Sequence, residues 1–234
     1  MDTAASPRRL IAILGGMYSR ELRIDLSGPD HAPIFRWFLA AKLMGARIST
    51  RAALSTWGEF DRRGIDTPQR IRQAGWDGLV AILDNGGYAR YDFSTATRLL
   101  AIAGNILERY HGDLNILHAR SEGPRDLEAR LMGLGRGIGP VTVNIFLREM
   151  RPVWPKADPD LSPLALLAAR DLGLVKGKGN PLDALRLAWA AEKARGYNFS
   201  DFEAALVRLG KDYCRKPRVT NCPMRGICPR LRSA

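Results

Sequence analysis

The chain has 234 residues and 46% hydrophobic content, enough for one large core or two small ones. Lys and Arg total 36 against 24 Asp and Glu, a net charge of +12 with a pI of 10.2. That excess points to a polyanionic partner, nucleic acid before an anionic membrane surface, because cations that neutralise phosphates release condensed counterions. No apolar run approaches the length that spans a bilayer, which excludes an integral membrane protein of the helical type. The three cysteines all fall in the last 21 residues and make no disulfide framework. Arg8-Arg9 and the short apolar stretch after them are followed by no clear cleavage pattern, so a reducing cytoplasm is the expected location.

In chain order, Leu22–Leu26 is the single candidate strand. Ile34, Trp37, Phe38 and Ala41 keep a helical period, with Leu43 and Met44 following. The apolar run Leu79–Leu83 stops at Gly86-Gly87. Ser94 reads as the cap of a helix whose inner face is Leu99, Ile102, Ala103 and Ile106, ending near Gly112. Arg125–Leu134 reads as a short helix, and Thr142–Met150 as another beyond a glycine-rich turn. Ser162-Pro163 and Asn180-Pro181 each pair a cap with proline in the first turn, closing near Gly173 and Gly196. Ser200 with Glu203 reads as a capping box. Roughly ten short helices and almost no strand signal imply an all-α fold.

The most informative stretch is Leu131–Leu147, in which a helix ends, the chain turns on Gly135, Gly137 and Gly139, and a second helix begins. Glycine permits positive φ and lets a phosphate approach the backbone. The amides at the following helix start point outward with the positive end of the dipole. Ile138 between the glycines can pin the turn to a core. Three glycines alone would equally suit a tight helix–helix turn with no ligand. The order Gly-Ile-Gly-Pro, with Thr142 and Asn144 opening an apolar helix, is more specific.

Residues Arg136–Asn144 resemble the hairpin of the helix-hairpin-helix DNA glycosylases, a superfamily that includes endonuclease III and 3-methyladenine glycosylase II. The version in the latter is the more similar, and a weaker resemblance extends over about residues 30–230. Ile34–Arg47 resembles the first long helix of the family's six-helix domain, and Phe93–Gly112 the helix two before the hairpin. The resemblance implies two helical domains flanking a DNA-binding cleft. Residues 35–147 would form the six-helix domain, and 1–34 with 148–234 the second. It also implies a monomer acting on double-stranded DNA that carries a lesion or mismatch. Gly135, Arg136, Gly137, Ile138, Gly139, Val141 and Thr142 would make the DNA contact.

In the bifunctional members a lysine just after the hairpin attacks the sugar and cleaves the strand through a Schiff base. The matching position here is Val141, which cannot form an imine, so the resemblance implies a monofunctional enzyme that releases the base and leaves the backbone intact. Lys156, near the candidate aspartates, is the residue that would substitute in a bifunctional alternative. The family's essential aspartate follows the lysine position by a little under twenty residues, at a helix start. Asp158 and Asp160 lie 17 and 19 residues after Val141. Asp160 has the better spacing and is preferred; Asp158 better matches a Trp-Pro-x-x-Asp pattern. The role would be to stabilise positive charge developing on the sugar, or to orient water. Both aspartates also read as plain helix caps.

Cys214, Cys222 and Cys228 resemble the iron–sulfur loop of endonuclease III relatives, which carries four cysteines. The last two keep its five-residue gap, and Arg215-Lys216-Pro217-Arg218 follows Cys214 as basic residues do there. A cubane normally takes four thiolates, and no histidine lies in the tail. Three readings stand: a cluster with an open or non-cysteine ligand, a relic loop that presents basic residues to DNA, and a zinc site. Arg136, Arg215, Lys216 and Arg218 are candidate phosphate contacts. Trp154 is the candidate border of the base pocket. Trp37, Trp57, Trp76 and Trp189 are also candidate stacking platforms, with core packing the readier reading of each. The residue that fills the gap left by a flipped base should lie within Lys42–Ile48. The alternative from another class is a non-catalytic DNA-binding module.

Overall fold

The computed structural model describes residues 6–46, 48–88, 92–192, 194–216 and 221–232. The described residues are all-helical, with thirteen α-helices, one π-helical turn and no strand. Leu22–Leu26, the candidate strand, is irregular, and Arg23 inside it takes a positive φ of 56°. None of these helices is long and apolar enough to cross a membrane. Two compact units form, one from Ile24–Pro159 and the other from Met1–Arg23 with Asp160–Ala234. Their seams lie outward of residues 35 and 147. Helix α3 already begins at His31, and Arg151 holds the coil after α9 through Asp158 and the Pro159 carbonyl.

The unit Ile24–Pro159 is built around α3 (His31–Met44), which packs on α4 (Thr50–Arg62), α7 (Leu114–Ala119) and α9 (Pro140–Met150). Asp30 caps α3 by accepting from the Ala32 amide. Almost every side of α3 is apolar, and Trp37 through Leu43 are all buried, so it can sit only at the centre. Trp37 Nε1 donates to the Phe146 carbonyl at 3.0 Å, and Phe38 meets Phe146 edge-on at 5.5 Å, which fixes α3 against α9. Burying each such ring stabilises by roughly 1.5–3 kcal/mol. Helix α5 (Pro68–Asn85) packs along α6 (Asp92–Tyr110), and α8 (Pro124–Met132) bridges α7 and α9. Gly75 kinks α5 at φ 65°, a conformation that favours glycine. Ser94 is not the cap of α6. The helix already runs at Asp92, and the inner face continues back through Thr95 and Ala96, so Ser94 lies inside its first turn.

The other described unit centres on α12 (Phe199–Leu209), packed by α1 (Pro7–Leu14), α10 (Pro163–Asp171) and α11 (Pro181–Glu192). Its core joins Leu10, Ala165, Ala169, Leu185, Phe202 and Leu206. Ser162 caps α10, and Asn180 accepts from the Leu182 amide at the start of α11. The capping box of α12 is Asn198 with Asp201, not Ser200 with Glu203. Asp201 wins because it is fully buried and accepts from the Asn198 and Met17 amides while pairing with Arg20. Ser200 and Glu203 are buried on either side of Asp201. Helix α12 runs into the π-helical turn Gly210–Cys214. A β-carbon on Gly210 would stand 2.1 Å from the Leu164 carbonyl oxygen, so only glycine admits this approach to α10.

Candidate nucleic-acid interface

Helix α8 ends at Met132, and the two carbonyls after it are taken by α6. Arg109 donates to the Gly133 carbonyl at 3.1 Å, and Asn105 to that of Leu134 at 2.9 Å. A β-carbon on Gly135 would lie 2.8 Å from Ile102 Cγ1, so the turn sits flush on α6. Arg136 and Gly137 are exposed, and Gly137 has φ 87°. The Ile138 side chain points into the core, while its amide closes a turn on the Gly135 carbonyl at 3.3 Å. Gly139 then caps α9 with extended backbone and no side chain, and Pro140 occupies the first helical position. The amides of Val141 and Thr142 follow and have no intrahelical acceptor. This is a bare helix start beside an exposed glycine turn, the geometry that suits an anion.

The sequence-predicted contacts divide in two. Gly137, Gly139 and Arg136 are open to solvent or partly so, and the Val141 side chain is 64% exposed in the first turn of α9. Thr142, by contrast, turns its side chain inward. A β-carbon on Gly45, which follows α3, would fall 2.3 Å from Thr142 Oγ1, so α3 ends directly against the start of α9. Thr142 and Ile138 could meet a ligand only through their backbone.

Two cations that the sequence reading does not assign lie against the same turn. A β-carbon at Gly137 would stand 3.1 Å from Arg98 Cδ, and 3.5 Å from both Arg98 Nη1 and Lys42 Cε. Lys42 is 4% exposed, and burial, then the Arg98 charge, push its pKa down to about 8. Tyr88, buried nearby, hydrogen-bonds Thr95 and feels the same guanidinium; burial raises its pKa on balance. The signal for Lys42 was present in the sequence as a charged residue one helical turn after Phe38, within the apolar run Trp37–Leu43.

The segment after α9 is held in place by its own side chains. Trp154 is 1% exposed. His118 stacks on its ring at 4.9 Å, Phe146 meets it edge-on, and its Nε1 donates to Asn115 Oδ1 at 2.8 Å. A base could stack on Trp154 only after one of those rings moved. Burial, then Lys156, lowers the His118 pKa. Lys156 Nζ donates to the carbonyls of His118, Ala119 and Ser121 at 3.0, 3.1 and 2.5 Å, so the ammonium caps the C-terminus of α7. Asp158 pairs with Arg151 at 2.5 Å and is partly exposed. Asp160 is exposed and opens the segment that leads to Ser162, the cap of α10. Among the remaining tryptophans Trp76 departs from the core expectation. It is exposed beside an exposed Phe93, at 5.3 Å, and donates to Thr97.

Cys214, Cys222 and Cys228 line one pocket together with Asp171 and Arg230. Burial, then Asp171, pushes the Cys214 thiol up to about 12, and burial also raises Cys222. Arg230 pairs with Asp171 at 2.6 Å. Among the described residues no group of three His, Cys, Asp or Glu side chains could hold a metal ion, and three thiols fall short of a cubane's four. The three thiols with Asp171 beside them are the set that a cluster with a non-cysteine ligand would use. Arg215 and Lys216 are exposed beside this pocket, whereas Arg218 lies outside the described residues.

No family model matches the chain, and no curated protein matches it.

Proposed function

We propose that the chain is a monofunctional DNA N-glycosylase of base-excision repair, which extrudes a damaged or mismatched base from duplex DNA and hydrolyses its N-glycosidic bond. The observation that carries this reading is the hairpin: an exposed Gly137 at positive φ, followed by the uncapped start of α9. Backbone amides there would grip a phosphate without reading sequence. Asp160 would then stabilise the positive charge that develops on the sugar as the bond to the base breaks. Asp158 is the weaker candidate by its spacing from Val141, and it pairs with Arg151. The engagement of Lys156 with three carbonyls supports the monofunctional form over the bifunctional one. A non-catalytic DNA-binding module is the second reading, favoured by the burial of Trp154, which leaves no open ring at that position for a flipped base.

Duplexes bearing single lesions separate these readings. Candidate lesions are alkylated purine, uracil or thymine opposite guanine, and oxidised guanine. Base release with strand breakage only after alkali is the expected result. Breakage without alkali would establish the lyase, and binding without base release from any lesion would establish the module.

A further inference from the structure

The last turn of α3 runs beneath the hairpin, with Lys42 at Gly137 and Gly45 against Thr142. Arg98 reaches the same glycine from α6. Neither cation has a carboxylate partner among the described residues, and no acceptor there takes a hydrogen bond from Lys42 Nζ. A buried ammonium with no hydrogen-bond acceptor, beside a second cation, is destabilising by itself. An acid on a neighbouring helix would relieve it, and none among the described residues does so. A bound anion would supply the counter-charge that the described residues lack, and both side chains lie against the exposed glycine that precedes the bare start of α9. Gly137, having no side chain, lets the Arg98 and Lys42 stems pack against the turn.

We infer that Lys42, Arg98 and the first-turn amides of α9 form one anion site, and that its ligand is a backbone phosphodiester of bound duplex DNA. The inference rests on the DNA-binding reading above and adds to it. The hairpin holds its phosphate not through backbone alone but through two side chains from separate helices. The charge-assisted bonds to the phosphate are stronger than neutral amide bonds and carry no base information.

The test is affinity for an undamaged, fluorescently labelled duplex, measured by anisotropy over a series of salt concentrations with wild type, Lys42→Met and Arg98→Gln. Each variant should flatten the slope of log affinity against log salt by about one. At 0.15 M salt each should bind about fivefold more weakly, the share of one released counterion. The loss should be the same for unrelated sequences. Lys42→Met should melt no lower than wild type, which separates lost binding from lost fold. Arg98 is exposed, so Arg98→Gln carries the test if Lys42→Met fails to fold. An unchanged slope in either folded variant overturns the site while leaving the DNA reading intact. Failure of the wild type to bind any duplex overturns both.

Discussion

Replacing Lys42 with methionine should make the free protein more stable. The folded-state pKa of Lys42 is lowered from 10.5 to about 8, chiefly by burial. Below about pH 8 the folded protein must carry a buried charge that the unfolded chain solvates, and this disfavours folding by about 3 kcal/mol at pH 7. The sign follows from proton counts. Between about pH 8 and 10.5 the unfolded chain holds the Lys42 proton and the folded protein has released it, so stability rises with pH through that window. By pH 9.5 the penalty should shrink to about 1 kcal/mol, a gain of about 2 kcal/mol over pH 7. Methionine matches the lysine stem in volume, and such swaps typically cost less than about 1.5 kcal/mol. Urea unfolding of wild type and Lys42→Met at pH 7 and 9.5 reads the difference, and the subtraction removes every other group that titrates there. The variant should lead by roughly 2–3 kcal/mol at pH 7, and the lead should narrow by about 2 kcal/mol at pH 9.5. A constant gap between the two pH values, or a variant less stable at pH 7, would refute the claim that Lys42 is buried without a counter-charge.

Gly139→Ala should fold normally, because Gly139 has φ −112° and nothing lies within 4 Å of an added β-carbon; loss of stability should stay within about 1 kcal/mol. Its methyl group would stand where the phosphate approaches, so duplex binding should weaken equally for all sequences, as anisotropy would show; full affinity would remove Gly139 from the interface. Gly137→Ala, at φ 87°, should lose both binding and about 1–2 kcal/mol of stability in the same assays. Borohydride should trap no covalent adduct between wild type and lesion DNA, and an adduct on a gel would end the monofunctional proposal. Asp160→Asn should slow single-turnover base release by about 10²–10³ while binding survives. Asp158→Asn should lose less than about tenfold, and at most about 1 kcal/mol of stability from its part-exposed pair with Arg151; if it is the inactive variant, the two roles exchange.

The helices were readable because capping and periodicity are local. Ser162-Pro163, Asn180-Pro181 and the apolar stripe of α6 all act within a turn or two of themselves. Where the sequence misled, a distant contact decided. Ser200 and Glu203 have the spacing of a capping box, yet Asn198 and Asp201 form it, because Asp201 also takes the amide of Met17, far away in the chain. Ser94 has the chemistry of a cap, but packing of Thr95 and Ala96 draws the helix back past it. The hairpin was legible as a string of glycines, with Thr142 among its contacts. That Gly45 forces the Thr142 side chain inward was not, since the two residues are separated by five helices.

The same limit governs the amines around the candidate site, where sequence spacing points to Lys156 and geometry redirects attention. An imine-forming lysine needs an accessible amine with no fixed hydrogen bonds. At Val141, where the side chain is exposed, there is no amine. At Lys156 the amine exists, but three carbonyls hold it as a cation, and moving it would uncap α7. Lys42 has the lowered pKa that amine chemistry favours, yet it is 4% exposed with its stem packed against the glycine turn, and attack on a sugar carbon needs an open amine. Each position satisfies one requirement and fails another. Strand cleavage therefore has no amine to run through in the described hairpin unit as it stands, while binding of a phosphate, which needs only charge near the surface and open amides, has both. That division is the physical reason to expect that the proposed enzyme leaves the strand whole.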